Sequence, residues 1–321
     1  MIPIILIFNL ILLVFDIPLF LFSLLLSICI ASRLVLKNKE SSFFFFSQFL
    51  INGILELLFI GLEYFMVRVP LYGIFNESYI SLGVMPGLIY GFSVYLPVTI
   101  VFGQFLIALN RFFMIKFPFT YTKFVNLRVM VISVVFQFLL PSILLIWSFN
   151  QNIQANYTYD NSSTVIESTD VNYTMNSVLI CIIMCVFWSI VNVILSALSI
   201  YFLTKVNKKM NEKSKEKPLL THSCIQTTAQ TFLAIVASLQ YISFITGDQI
   251  METIAMHLYP FAEDAVSLSS AIVLFCVCKQ VREQFLDFYH LKWLWEKYET
   301  KFNNNNTKQT VKASANSIDL V

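Results

Sequence analysis

The chain has 321 residues, of which 57% are hydrophobic and 12% charged, with 32 phenylalanines, whereas soluble domains carry about 25% charged residues. This composition excludes an ordinary soluble domain and predicts a bundle of membrane helices joined by short loops. The net charge of +2 says little in itself; where the charges fall says more.

A helix needs about 20 apolar residues to cross a hydrocarbon core roughly 30 Å thick. Seven segments qualify: 5–34, 43–65, 86–113, 127–149, 177–203, 222–246 and 259–279. The first starts at Met1 without a basic leader, so it is expected to be a retained span rather than a cleaved signal. The sixth opens on the polar "TTAQT", and the seventh carries Glu263 and Asp264. Pro18, Pro97, Pro141 and Pro260 fall in or near spans, where a missing N–H permits a kink.

Lys and Arg are held on the cytoplasmic side during insertion. With the N-terminus outside, 20 of the 21 basic residues fall in cytosolic loops and the tail, leaving Arg68 on the outer face. The expected fold is therefore an all-α seven-transmembrane helix bundle, N-terminus outside and C-terminus cytosolic. The outer loop 150–176 fits this, with no basic residue and N-x-[ST] sequons at Asn156, Asn161 and Asn172. Another sequon stands at Asn76 in the other long outer loop. These are candidate glycosylation sites, although "NNT" at Asn305 in the expected cytosolic tail shows that the triplet also arises by chance. All six cysteines lie in or at the end of spans, so no extracellular disulfide is expected.

After Cys278, the aromatic and aliphatic residues Phe285, Phe288, Leu291, Trp295 and Tyr298 recur at helical spacing among Lys and Arg. Residues 280–300 are expected to form an amphipathic juxtamembrane helix on the inner leaflet, touching membrane lipid, or else a plain cytosolic helix. Residues 301–321 have too few apolar side chains to pack and are expected to be a disordered cytosolic tail.

No lysine lies mid-way along the seventh span to hold retinal, which excludes a photoreceptor of that kind. His222, His257 and His290 are far apart, with no carboxylate four residues on, so no metal site is expected. Neither an HExxH nor a Gly-x-Ser-x-Gly motif occurs. Catalytic residues, cofactors and a nucleic-acid partner are not expected.

Ionisable residues inside spans cost about 2.5–3.5 kcal/mol at the helix centre and must face the bundle or water. In the second span Asn52, Glu56, Phe59 and Glu63 share one helix face by their spacing. The third span has Tyr90, Ser93, Pro97, Gln104 and Arg111 on one stripe, and the seventh places Ser267 one turn from Asp264. One reading makes Glu63, Tyr90, Ser93, Asp264 and Ser267 an acidic outer site for a small ligand, with Asn52, Glu56 and Gln104 as its polar core. The other makes these groups hydrogen-bonding glue between helices.

The stretch "LNRFFMIKFP" sets Asn110 and Arg111 at the inner end of the third span and Pro118 seven residues beyond the arginine. It is similar to the Asp-Arg-Tyr end of the third helix in rhodopsin-like G-protein-coupled receptors. Its "LNRF....FP" form more closely resembles nematode serpentine chemoreceptors of the gamma class or a sister class such as the V class, in which Asn often replaces the acid. "SSFFFFSQFLING" and "PFAEDAVSLSSAIVLFCVCKQVREQF" resemble their second and seventh spans, and the likeness runs in order through most of residues 5–290.

The chain departs from the wider rhodopsin-like pattern. Pro86 stands where a cysteine opens the third span, and Cys-Trp-x-Pro and Asn-Pro-x-x-Tyr are missing. The resemblance implies a plasma-membrane receptor of a sensory neuron or cilium that binds a small extracellular ligand. It also implies that Asn110, Arg111 and Pro118 form a switch toward a heterotrimeric G protein. The plain alternative for Arg111 is an interfacial side chain reaching to headgroups. A proton- or cation-coupled transporter using Glu56, Glu63 and Asp264 is the competing function; it would favour internal repeats, and none is apparent. A scaffolding membrane protein would leave the inward acids unexplained.

Overall fold

The computed structural model describes residues 2–36, 43–71, 75–83, 85–118, 121, 127–148, 153–157, 164–168, 170–210 and 217–293. Helix α1 covers Ile2–Leu36, and α2 covers Phe43–Glu63 before passing into a π turn at Tyr64–Arg68 and a last turn at Val69–Leu71. A short α3, Asn76–Ile80, precedes the long α4, Met85–Lys116. The following helices are α5 (Leu127–Leu139), α6 (Ser142–Ser148), α7 (Val171–Met210) and α8 (Lys217–Thr246). Then come α9 (Gln249–Ser267) and α10 (Ser269–Val277).

By length and hydropathy, four stretches among the described residues can each cross a bilayer: Leu13–Val35, Phe43–Met66, Met85–Lys116 and Met175–Lys205. A fifth is the pair Leu258–Ser267 and Ser269–Val277, bent by 41°. The segment expected as one span at 127–149 is two helices, α5 and α6. Proline has no N–H to continue the ladder, so at Pro141 the chain turns, with Ser142 Oγ donating to Leu139 O at 2.6 Å and Leu144 N to Pro141 O at 2.9 Å.

Helix α8 is long enough but polar for a span. Its hydroxyls are satisfied within the helix: Thr227 Oγ1 donates to Ser223 O at 2.8 Å, Thr231 Oγ1 to Thr227 O at 2.9 Å and Ser238 Oγ to Ala234 O at 2.7 Å. This back-bonding lets polar side chains sit in apolar surroundings without leaving an open donor.

Helix α4 occupies the centre, packed against α2, α5, α6, α7 and α8. Its close approach to α2 and α5 depends on Gly103, where an added Cβ would fall on the side chains of Asn52 and Gln137. Outward faces carry apolar side chains such as Val131, Ile132, Phe136 and Leu139 on α5, which suits lipid as solvent.

The expected loop 150–176 contains an antiparallel hairpin, β1 (Ile153–Tyr157) paired with β2 (Thr164–Ser168), with Ala155 opposite Ile166. Ile153 and Ile166 join Met66, Tyr79, Tyr90, Val94, Leu144 and Tyr173 in one buried cluster, so the hairpin, α3 and the start of α4 and α7 share an end of the bundle. Asn156 lies in β1, Asn76 opens α3 and Asn172 is exposed in the first turn of α7, while Asn161 lies outside the described residues.

Helix α9 begins ten residues before the expected seventh span. Asp248 caps it, Oδ1 accepting from Ile250 N at 3.0 Å and Met251 N at 3.2 Å. Asp248→Ala removes a cap worth about 1 kcal/mol. Amides of that first turn are expected to exchange about fivefold faster by hydrogen exchange, with the rest of the helix unchanged.

Residues Met1–Val277 form one compact unit and Cys278–Val321 a second. In the second, α11 covers Lys279–Phe288. It is shorter than the expected 280–300 helix because it closes on a Schellman turn. His290 N donates to Asp287 O at 3.2 Å and Leu291 N to Leu286 O at 2.7 Å, with His290 left-handed at φ 57°. Trp295, Tyr298 and the expected tail lie outside the described residues.

Candidate functional site

At the end of the bundle shared with the hairpin, Arg68 is 2% exposed and surrounded by acid. Its Nη1 donates to Asp16 Oδ2 at 2.6 Å, its Nε to Glu63 Oε1 at 3.0 Å and its Nη2 to Asp264 Oδ1 at 2.9 Å. Nη1 also donates to Tyr64 Oη at 3.0 Å, and that hydroxyl donates in turn to Asp16 Oδ2 at 2.5 Å. The guanidinium lies 4.5 Å from the centre of the Tyr64 ring, a cation–π contact. Glu263, also buried, lies within electrostatic reach of Glu63 and Arg68.

The planar fork of arginine suits this task, since five N–H donors can serve several carboxylates at once. Glu63 and Arg68 are five positions apart, a separation that faces different sides in an α-helix, where neighbours are three or four apart. The π turn at Tyr64–Arg68 adds the residue that brings them together. Arg68 thus ties α2 to α1 through Asp16 and to α9 through Asp264.

Among the expected ligand residues, Glu63 and Asp264 therefore meet on a guanidinium rather than facing an open acidic mouth. Tyr90 Oη is 3.2 Å from Ser177 Oγ of α7, and Ser93 Oγ donates to Tyr90 O at 2.8 Å within α4. Ser267 is buried at the bend between α9 and α10, where α8 side chains reach exposed carbonyls. Gln226 Nε2 donates to Val266 O at 2.5 Å, and His222 Nε2 is 3.1 Å from Ser270 O.

The polar core expected at Asn52, Glu56 and Gln104 is buried and linked. Gln104 Nε2 donates to Glu56 Oε1 at 3.1 Å. Asn52 Oδ1 accepts from Gln137 Nε2 at 2.7 Å, its Nδ2 donates to Ile100 O at 3.4 Å, and Gln48 Nε2 donates to Gln137 Oε1. These amides join α2, α4 and α5 as hydrogen-bonding glue.

At the other end, Arg111 is 1% exposed, its guanidinium 3.8 Å from the centre of the Phe45 ring. That burial is incompatible with an interfacial side chain reaching to headgroups. Asn110 Oδ1 accepts from Tyr121 Oη at 2.6 Å, and Pro118 is exposed. Lys116 sits among rings, 5.2 Å from Phe112, 4.9 Å from Phe117 and 5.3 Å from Phe202.

Asp16, Tyr64, Arg68, Glu263, Gln48 and Gln137 were not among the sequence-derived site residues. The cost of polar groups within spans was the available signal for most of them.

No curated protein matches the chain. A family profile does, over residues 9–291: the serpentine-type seven-transmembrane G-protein-coupled chemoreceptors designated Srv. Of the gamma and V classes that the sequence motifs resemble, the match falls on V. The chain belongs to the Srv family and is a multi-pass membrane protein of the chemosensory receptor type.

Proposed function

We propose that this protein is a plasma-membrane receptor of a sensory cell or its cilium that binds a small extracellular ligand and activates a heterotrimeric G protein. The seven spans are α1, α2, α4, α5 with α6, α7, α8, and α9 with α10. The N-terminus, the hairpin and the sequons at Asn76, Asn156, Asn161 and Asn172 face outside, and α11 with the tail lies in the cytosol. The ligand acts on the outer cluster of Glu63, Asp264 and Arg68, with Tyr90, Ser93 and Ser267 in its neighbourhood. Glu56, Asn52 and Gln104 form the polar core beneath it.

The observation that carries this reading is the Arg68 cluster. One buried guanidinium binds side chains of α1, α2 and α9 together, so a ligand that draws any carboxylate away changes how three spans are held. A ligand shifts a conformational equilibrium by its differential affinity for the two states. About 35 Å away along α2, at 1.5 Å per residue from Arg68 back to Phe45, lies Arg111. Opening the inner end frees the Arg111 fork for backbone carbonyls of the G-protein α subunit, with Asn110 and Pro118 shaping that face.

The test uses the full chain in intact cells, tagged at both termini, with a second-messenger readout for a library of small ligands. The N-terminal tag is expected to be readable without permeabilisation and the C-terminal tag only after it. Arg111→Ala is expected to leave surface display within about twofold and to abolish ligand-dependent signalling. An undiminished response would remove Arg111 from the switch, and both tags in one compartment would overturn the topology.

A further inference from the structure

Between α1 and α2 lies a cleft of about 230 Å3, walled by apolar side chains including Leu13, Ile17, Phe20 and Ile60. Ile17 is 52% exposed on its rim. Asp16 and Tyr64 also line it, so the apolar cleft touches the Arg68 cluster. Its volume equals roughly seven or eight water-sized groups at about 30 Å3 each, the size of a short alkyl chain. Gly61 is part of the lining, and a Cβ added there would meet nothing within 4 Å.

Four carboxyl groups gather at the cluster, those of Asp16, Glu63, Glu263 and Asp264, against the guanidinium of Arg68. Acid exceeds base at this point. Two acceptor oxygens, Glu263 Oε2 and Asp264 Oδ2, are buried without a hydrogen-bond partner among the described residues, in side chains that are 1% and 9% exposed. Leaving a buried acceptor open is costly, and Asp264 already holds Arg68 Nη2 through its other oxygen.

We propose that the α1–α2 cleft is the ligand site, reached from the bilayer, and that it takes an amphiphilic primary amine, alkyl chain along the cleft and ammonium on Asp16. This names the chemical class for the outer-cluster reading above and rests on it. An ammonium on Asp16 competes directly with Arg68 Nη1 for Oδ2. Arg68 then shifts its donors from α1 toward the open oxygens of Glu263 and Asp264, exchanging a tie to α1 for a stronger one to α9. A charged head without a chain gains nothing from the cleft, and a chain without a charge gains nothing from Asp16.

The probe is octylamine, added to the full chain in lipid nanodiscs, with the thermal unfolding midpoint as readout. Octylamine is expected to raise the midpoint by several degrees. 1-Octanol at equal membrane concentration is expected to give no rise, and methylamine to need at least tenfold more. Gly61→Phe fills the cleft where the backbone has open space, so it should keep the unliganded midpoint and lose the octylamine shift. Asp16→Asn should lose it too; if that variant fails to fold, Gly61→Phe decides. A shift equal for octylamine and 1-octanol, or one retained in Gly61→Phe, overturns the proposal. Octylamine binding without second-messenger output leaves this site standing and removes the signalling role. A signalling ligand found alongside an absent octylamine shift removes only this site.

Discussion

Replacing Arg68 with methionine is expected to remove most of the folded receptor from the cell surface. The substitution keeps a long apolar stem but leaves Asp16, Glu63 and Asp264, all buried, without the cation they share. Removing one partner of a buried ion pair costs about 3–5 kcal/mol, and here three carboxylates lose it together. Folded domains are held by only about 5–15 kcal/mol. Arg68→Lys should recover part of the loss, because an ammonium restores charge but cannot spread its donors as a planar fork does. Surface display and the unfolding midpoint in detergent should therefore rank wild type above Lys and Lys above Met. A methionine variant displayed at wild-type level would show that the cluster does not depend on its cation.

The second large effect is expected at Gly103. In a helix, alanine is normally favoured over glycine by about 1 kcal/mol, so Gly103→Ala should stabilise unless packing forbids it. At this position the new Cβ would land on Asn52 Oδ1 and Gln137 Nε2, with Asn52 Cγ 2.7 Å away. The bond between those amides must break, in side chains that are 1% and 0% exposed. Each buried polar group left open costs about 1–3 kcal/mol, and forced overpacking about 1–3 kcal/mol more. A net loss of about 3 kcal/mol is expected, read as a fall in the thermal midpoint. Gly53→Ala provides the control, since its Cβ would meet only Ser27 Oγ, at 3.3 Å; its midpoint should move little. Equal behaviour of the two variants would mean that the α2–α4–α5 amide network relaxes freely.

The helical bundle is legible because long apolar runs are a strong signal in a lipid solvent. The inward face of α2 was legible too: spacing alone puts Asn52, Glu56, Phe59 and Glu63 together, and all four are buried. What spacing along one helix cannot show is which helix supplies the counter-charge. In the sequence Arg68 reads as a single outer-loop cation because the apolar run ends near residue 65, whereas the helix runs on through a π turn. Asp16 sits alone in a strongly apolar run, and Glu263 looked like a weakness of the seventh span. Only their convergence in space gives them a shared role. The hairpin is hidden for a different reason: five-residue strands in a polar loop give a short alternation, Ile153, Ala155 and Tyr157, that hydropathy over a whole loop averages away.

The π turn in α2 makes residue number itself a determinant of the outer cluster. Each residue in an α-helix advances the chain by about 100°, so a regular helix over the same residues would set Arg68 about 140° around the axis from Glu63 and swing the guanidinium off Asp16 and Asp264, whereas deleting one position would leave the pair at i,i+4 on one face. A one-residue deletion there exchanges the π turn for a regular turn and keeps the phase, whereas an insertion breaks it. Comparisons across Srv receptors should therefore read gaps in this short stretch against the spacing of acid and arginine, five positions apart with a π turn or four without it.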